Sequence, residues 1–153
     1  QPGARFEQVL PQGGTEELLV GTSRAAAFGD VDNDGGMDVL VVNRDAPALF
    51  LRNIVEDRGN WLILQVVEST GSAAEGARVV FQMGSQRKRR DVRTAYSYLS
   101  ANDPRIHIGL GAEARVSEVE VRWTDGEVEL YGEYEANQIV HLARGKGLSA
   151  AVE

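Results

Sequence analysis

The sequence predicts an all-β protein in which one partial propeller-like blade packs before a β-sandwich of about seven strands. Short runs of β-branched and aromatic residues recur along the chain, and its segments lack helical periodicity. The 17 glycines fall mostly between these runs, which is typical of the turns in hairpins and meanders. The predicted strands span residues 25–28, 39–42, 49–51, 61–67, 77–83, 88–92, 106–108, 119–123, 128–130 and 139–142.

Two kinds of predicted strand divide the chain into two parts. Residues 39–42 are all apolar, as in a strand covered on both faces, whereas residues 119–123 alternate, as in a sheet with one wet face. The polar stretch 53–60 separates them, so we predict a blade over 1–56 and a sandwich over 57–153. A complete propeller needs about 4 to 8 blades. The predicted blade is therefore either an appendage of the sandwich or the last blade of a larger array.

The composition limits the classes of function. A chain of 153 residues that is 42% hydrophobic can bury a core without crosslinks, and the lack of cysteine excludes a disulfide framework and a thiolate metal site. The formal net charge of -7 disfavours binding to nucleic acid or anionic membranes. No apolar run reaches the roughly 20 residues of a membrane-spanning helix, so we expect no membrane insertion. Because the chain begins with Gln1, we expect a processed product or a segment of a longer protein, without its targeting signal.

The segment 30–38 is the most informative motif. It places carboxylates at loop positions one, three, five and nine, and four like charges this close repel one another unless a cation neutralises them. Calcium takes about 6 to 8 oxygen ligands, and alternate residues of a tightly curled loop turn their oxygens inward. A glycine follows the third carboxylate and allows the chain to reverse. The predicted calcium ligands are Asp30, Asp32, Asp34, the carbonyl of Gly36, and Asp38.

Other interpretations of this loop fit less well. An EF-hand needs a Glu at the twelfth position, which here is Val41, and it needs helical flanks. Magnesium prefers a small shell with several waters, and zinc lacks nitrogen or sulfur ligands here. A solvated Asx-rich turn without an ion explains one or two aspartates but not four at ligand spacing. We expect a structural ion that pins a β-hairpin.

The residues around the acidic loop resemble an FG-GAP or VCBS-type propeller repeat. The resemblance is carried by residues 26–30, the loop itself and residues 39–43. Repeats of that family bind calcium in β-hairpin loops. The resemblance therefore implies the same four aspartates as side-chain ligands and Gly36 as a backbone ligand.

The second part resembles the ASPIC/UnbV domain, which follows FG-GAP repeats in bacterial surface proteins and in the cartilage acidic protein family. The matching motifs, in chain order, are 60–62, 76–79, 98–100, 102–111, 119–123 and 125–126. The chain departs from the family pattern at 74–75 and 94–96, where the family is richer in glycine. The resemblance implies calcium binding in an extracellular adhesive or recognition setting and supplies no enzymatic mechanism.

Four residues have the types found in a hydrolase triad, namely Ser97, Ser100, Asp103 and His107. They lie within one predicted strand-and-turn segment, and the chain has no Gly-x-Ser-x-Gly nucleophile elbow. A turn at Asp103 followed by a strand explains them better. We therefore predict that the chain is not an enzyme.

A second candidate site is a ligand surface on the sandwich. The basic run 87–90 is expected to protect a sheet edge, and the alternative is that it binds an acidic glycan or a neighbouring domain. Tyr96 and Tyr98 share one strand face by their period-two spacing and offer aromatic rings for sugar stacking. The candidate ligand surface consists of Tyr96, Tyr98, Arg87 and Arg89.

The sequence thus predicts a calcium-binding adhesion, recognition or architectural module, secreted or at the cell surface, that forms the C-terminal part of a larger repeat protein. Its expected partners are a calcium ion, a protein or glycan, and neighbouring blades of the parent protein. The alternative function is a carbohydrate-binding accessory domain of a surface or secreted enzyme system.

Overall fold

The computed structural model describes residues 19–149, and every regular element in that range is a β-strand. The strands are β1 (Ser23–Gly29), β2 (Asp38–Asn43), β3 (Leu49–Leu51), β4 (Asn60–Val67), β5 (Arg78–Met83), β6 (Gln86–Asp91), β7 (Ile106–Gly111), β8 (Arg115–Arg122), β9 (Val128–Glu135), β10 (Gln138–Ala143) and β11 (Leu148–Ser149). The prediction of an all-β fold is confirmed. The predicted strands correspond to β1 to β10 with shifted ends, and the short β11 was not predicted. Among the described residues, no helix offers the length and apolar character that a membrane span requires.

The strands from β4 onward form two sheets that share one core. One sheet has the order β10-β4-β7, and the other has the order β11-β9-β8-β5-β6. Within the β10-β4-β7 sheet, β10 runs parallel to β4, with Val140 opposite Leu64, whereas β7 is antiparallel to β4. Two parallel strands need a long connection. Here the connection between β4 and β10 contains four strands of the five-stranded sheet, β5, β6, β8 and β9. The predicted β-sandwich is confirmed, with eight strands in the described range.

The core of the sandwich follows the period-two pattern of its strands. Leu62, Leu64 and Val66 point inward from β4 and are at most 2% exposed, and Phe81 meets them from the opposite sheet. Trp123, just after β8, is also buried in this cluster. Burial of each large apolar side chain contributes about 1.5–3 kcal/mol. This core gives the rigid support on which the candidate site is built.

The outer face of the β10-β4-β7 sheet carries a second buried surface. Ile63 is 1% exposed although it lies outside the sandwich core, and His107 is its partner across the β4–β7 pair. Ile63 lines a cavity together with Phe28 and Met37 from the first part of the chain. The first part therefore packs on the outer face of the sandwich.

The first part is a three-stranded antiparallel sheet with the order β1-β2-β3, called the first sheet below. Leu40 of β2 pairs with Phe50 of β3, and these side chains and Val42 are 42–52% exposed. The expectation that β2 is covered on both faces is therefore not met within residues 19–149. A continuous apolar run indicates that both faces are suited to burial, but it does not supply the element that covers them.

The edge of β1 meets the sandwich through backbone contacts. The Phe28 amide donates to the side-chain oxygen of Asn102 at 2.8 Å, and the Asp103 amide donates to the Phe28 carbonyl at 2.9 Å. These two bonds satisfy backbone groups that an open sheet edge leaves unpaired. The predicted boundary between residues 56 and 57 lies in the connection between β3 and β4.

Candidate metal centre

The acidic loop connects β1 to β2 and has its ends side by side. Asp30 directly follows β1, Asp38 begins β2, and Gly29 pairs with Asp38 across the two strands. The hairpin therefore brings the first and last aspartates of the motif together although eight positions separate them. This local topology agrees with the expected β-hairpin.

Three of the predicted ligands converge. Carboxylate oxygens of Asp30, Asp32 and Asp38 lie within 4.8 Å of one another. Asp30 and Asp38 are each 2% exposed, whereas Asp32 is exposed. Placing two carboxylates in one buried cluster is costly unless something of opposite charge compensates them.

Backbone amides curl the loop around the two buried carboxylates. Asp30 accepts hydrogen bonds from the amides of Asp34 and Gly35 at 3.1 and 2.8 Å. Asp38 accepts from the amides of Val31 and Asn53 at 3.0 and 2.8 Å. These bonds orient the carboxylates, and in residues 19–149 neither carboxylate has an arginine or lysine in ion-pair contact. The buried negative charge is therefore left for another cation.

The other two aspartates are paired with arginines. Asp32 contacts Arg52 at 2.5 Å, and Asp34 contacts Arg58 at 2.6 Å. The hydrogen bond from Arg58, aided by the Gly36 amide, holds the pKa of the Asp34 carboxyl below its ordinary value. Asp34 therefore lies apart from the three-carboxylate cluster, and Gly36 is buried with its amide on Asp34.

The donor set fits a hard divalent cation. All groups in the cluster are carboxylate oxygens, which suit calcium, and the cluster contains none of the nitrogen or sulfur ligands that zinc prefers. Asp30, Asp32 and Asp38 would hold the ion, and Asp34 with the Gly36 carbonyl are the further ligands that the sequence motif predicts. A divalent cation bound there would supply positive charge beside the two buried carboxylates.

Two side chains of the sandwich contact the acidic loop. The guanidinium of Arg105 donates to the Asp30 carbonyl at 2.7 Å and to the Asn33 side chain at 2.6 Å. The ring nitrogen Nε2 of His107 lies 2.8 Å from the Gly35 carbonyl. These three contacts connect a loop in the first sheet to the start of β7, more than 70 residues later in the chain.

Gly35 makes the closest approach between the loop and the sandwich. Its φ of 88° is in the left-handed region, and a Cβ built on it would overlap the indole ring of Trp61. Glycine is thus required here by its conformation and by the space available. Gly35 is the glycine predicted to reverse the chain, and the structure places the Trp61 indole against it rather than in the sandwich core.

Sequence reasoning missed the residues that anchor the loop. Arg105 received no role, and His107 was considered only as a member of a triad. The signal available in the sequence was the alternation of β7, which places Arg105 and His107 on the face opposite to the buried Ile106 and Ile108. That signal gives a sheet face, but it does not identify what packs there.

The triad-like residues do not form a relay. Asp103 is paired with Arg105 at 2.6 Å, and Nε2 of His107 is engaged by the Gly35 carbonyl. The hydroxyl of Ser100 is buried and has no hydrogen-bond partner in the described part of the chain. These contacts are structural and agree with the expectation of a turn followed by a strand.

The four residues of the candidate ligand surface are divided by the fold. Arg87 pairs with Glu120 at 3.4 Å and Arg89 with Asp91 at 3.0 Å. Their strand β6 is an edge of the five-stranded sheet, the place expected for an edge-protecting basic strand.

The two tyrosines of that surface are exposed but do not share one site. Tyr96 lies under the guanidinium of Arg93, 4.0 Å from the ring centroid, and lines the cavity at the junction. Tyr98 is 71% exposed and does not line that cavity.

Comparison with known proteins agrees with this architecture. The ASPIC and UnbV family model matches residues 67–149, which cover most of the sandwich. The chain is also 30% identical over 144 residues to cartilage acidic protein 1 of Xenopus tropicalis, an alignment that covers 90% of this chain and 22% of the relative. It is 32% identical over 103 residues to cartilage acidic protein 1 of Mus musculus and of Homo sapiens, covering 65% of this chain and 16% and 15% of those relatives.

The chain thus spans between 15% and 22% of the length of the curated relatives that it matches. The family match covers more than half of its own residues. From the sandwich and that match together, we conclude that this chain belongs to the ASPIC and UnbV family.

Proposed function

We propose that this chain is a calcium-stabilised, non-enzymatic module of an extracellular protein, in which one calcium ion stabilises the contact between the first sheet and the sandwich. The observation that carries the proposal is the convergence of Asp30, Asp32 and Asp38 within 4.8 Å, with Asp30 and Asp38 buried. Amide hydrogen bonds orient the buried carboxylates of Asp30 and Asp38 without neutralising their charge.

The ion acts on a loop that already contacts the sandwich. Asp30, a proposed ligand of the ion, would bind the ion through its side chain, and its backbone carbonyl accepts a hydrogen bond from Arg105. Gly35, whose amide donates to Asp30, offers its carbonyl to His107. Ordering the loop around calcium therefore also orders the groups that join the two parts of the chain.

The architectural part of the proposal rests on the exposed face of the first sheet. Leu40, Val42 and Phe50 form an apolar surface that is suited to burial. In the proposal the sheet is the last FG-GAP-type blade, and the neighbouring blades of a longer protein cover this surface. The name of the relatives, cartilage acidic protein, supports an extracellular matrix setting. An adhesive or recognition role is part of the proposal.

The alternative of a carbohydrate-binding accessory domain has less support. Arg87 and Arg89 are occupied by carboxylates on the five-stranded sheet, and Tyr96 and Tyr98 do not line one site. The acidic cluster and its contacts favour the calcium-dependent architectural role.

A calcium-dependent thermal shift tests the proposal. At a calcium concentration of about 100 times Kd, binding stabilises the folded state by about 2.7 kcal/mol, which corresponds to a rise in Tm of about 5–10 °C. Asp32→Asn is expected to remove most of the rise, since it removes the most accessible carboxylate of the cluster. The matched control is Asp45→Asn, because Asp45 is an exposed aspartate paired with Arg44 in the connection between β2 and β3.

Retention of the full shift in Asp32→Asn, or its loss in Asp45→Asn, would contradict the assignment of the ligands. An unchanged Tm of the chelator-stripped chain in millimolar calcium would contradict calcium binding itself.

A further inference from the structure

The junction between the first sheet and the sandwich encloses a second candidate site. It is a cavity of about 340 Å³, which falls within the range of about 300–1,000 Å³ that is typical of small-molecule pockets. Its apolar wall includes Phe28 and Met37 from the first part of the chain, and Ile63 and Ile106 from the sandwich. A ligand in this cavity would therefore bury an apolar body between the two parts.

The charged lining of the cavity is divided into neutralised and unmatched groups. Asp91 contacts Arg89 at 3.0 Å, and Asp103 contacts Arg105 at 2.6 Å, so both of these carboxylates are already paired. Asp30, the remaining acidic residue of the lining, belongs to the candidate metal centre.

Two guanidinium groups of the lining lack a carboxylate. Within residues 19–149, neither Arg90 nor Arg93 has an acidic side chain in ion-pair contact, and Arg93 lies over the ring of Tyr96 at 4.0 Å. Arg90 pairs with the buried Val79 across β5 and β6, so its side chain leaves the edge strand on the inner face. The Arg90 guanidinium donates one hydrogen bond to the Arg89 carbonyl at 2.8 Å, which does not neutralise its charge. Both arginines line the cavity together with its apolar wall.

We propose that this cavity binds a small amphipathic anion, with its apolar body against Phe28, Met37 and Ile63 and its carboxylate at Arg90 and Arg93. Arginine recognises a carboxylate by two parallel charge-assisted hydrogen bonds, and the stacking of Arg93 on Tyr96 limits the positions that its guanidinium can adopt. The apolar wall favours an aromatic or aliphatic body over a sugar, whose hydroxyl groups would lose their hydrogen bonds with water. This inference does not depend on the proposed calcium role.

The test uses 3-phenylpropionate as the probe and the neutral 3-phenylpropionamide as its isosteric control. Methyl NMR of the full chain reports binding through Met37, Ile63 and Ile106, and a fragment-sized probe is expected to bind with a Kd of about 1 mM. The amide is expected to bind at least about tenfold more weakly, because it cannot form the charge-assisted bonds. The titrations are run in calcium and in chelator, so that failure of the metal proposal stays distinguishable.

Variants identify the carboxylate end of the site. Arg93→Gln is expected to weaken binding of 3-phenylpropionate about tenfold. Arg122 is an exposed arginine at the end of β8 that does not line the cavity, and Arg122→Gln is expected to change binding less than about twofold. The proposal is overturned if the amide binds as tightly as the acid, or if both variants weaken binding equally. Tighter binding of glucuronate than of 3-phenylpropionate, or no perturbation of the cavity methyl groups, also overturns it.

Discussion

Replacement of Gly35 by alanine tests the contact between the acidic loop and the sandwich. Gly35 has a φ of 88° and a Cβ at this position would overlap the Trp61 indole. Gly71 is a matched control, since its φ is 87° and no other atom lies within 4 Å of a Cβ built on it. The two substitutions therefore introduce the same backbone strain and differ in the steric clash.

The expected magnitudes follow from these two terms. A left-handed conformation costs a non-glycine residue about 1–2 kcal/mol, and this term applies to Gly71→Ala and to Gly35→Ala alike. Forcing a methyl group into a packed contact costs about 1–3 kcal/mol more, and this term applies to Gly35→Ala alone. We expect Gly35→Ala to lower the free energy of unfolding by about 2–5 kcal/mol in total.

Urea unfolding, followed by tryptophan fluorescence and circular dichroism, measures this difference. The fluorescence of Trp61 also reports on the contact itself, so its spectrum in native buffer is expected to change in Gly35→Ala and to stay unchanged in Gly71→Ala. Equal losses of stability in the two variants, with unchanged native fluorescence, would refute the packing of the loop on Trp61.

Two further predictions concern the joint and the sandwich. Arg105 is 20% exposed and contacts both the loop and a carboxylate, so Arg105→Ala is expected to lower the free energy of unfolding in urea by about 2–4 kcal/mol. The control Arg115→Ala, at an exposed arginine, is expected to lower it by less than about 0.5 kcal/mol. Equal losses in the two variants would contradict the anchoring role of Arg105. Burial opposes ionisation of Glu129, but hydrogen bonds from the Tyr131 hydroxyl and two amides lower its pKa below the ordinary value. Its stabilising contribution is thus present at neutral pH and lost as pH falls through this lowered pKa. Glu129→Gln is therefore expected to flatten the acid limb of the stability curve relative to the exposed Glu133→Gln, and parallel curves for the two variants would contradict this assignment.

The strands and the acidic hairpin were predictable because their signals are local. Alternation in 119–123 and the apolar run in 61–67 identify strands from a few neighbouring residues, and β8 and β4 follow them. The spacing of the loop aspartates predicted that all four converge. The structure brings Asp30, Asp32 and Asp38 together at the paired ends of one hairpin, whereas Asp34 pairs with Arg58. Local chemistry was sufficient for these features.

The contacts between the two parts were not predictable from the same signals. Arg105 and Asn33 are 72 residues apart, and no pattern in either segment indicates that their side chains meet. The pairing of Asp34 with Arg58 has the same origin, because it depends on how the connection after β3 passes the loop. The exposed face at Leu40 shows the complementary limit: an apolar run indicates a surface for burial without naming what buries it.

In the basic strand β6, the strand register determines the face of the sheet on which each charged side chain lies. The sequence places four basic residues in succession at 87–90, but alternation sends Arg87 and Arg89 away from the face that carries Arg90. Arg90 then lies beside the cavity, where Arg93 and Tyr96 also reach it from the following segment. The charge of this strand was predictable from its residues, whereas the charges that lie together depend on the fold.

Equilibrium dialysis of the chelator-stripped chain against calcium tests the central claim most directly. One calcium ion per chain is predicted at saturation, and the bound ion is expected to be lost in Asp38→Asn, which alters a buried carboxylate of the cluster, and retained in Asp45→Asn. Absence of bound calcium at millimolar concentration in the unaltered chain would contradict the metal centre, and with it the calcium-braced joint.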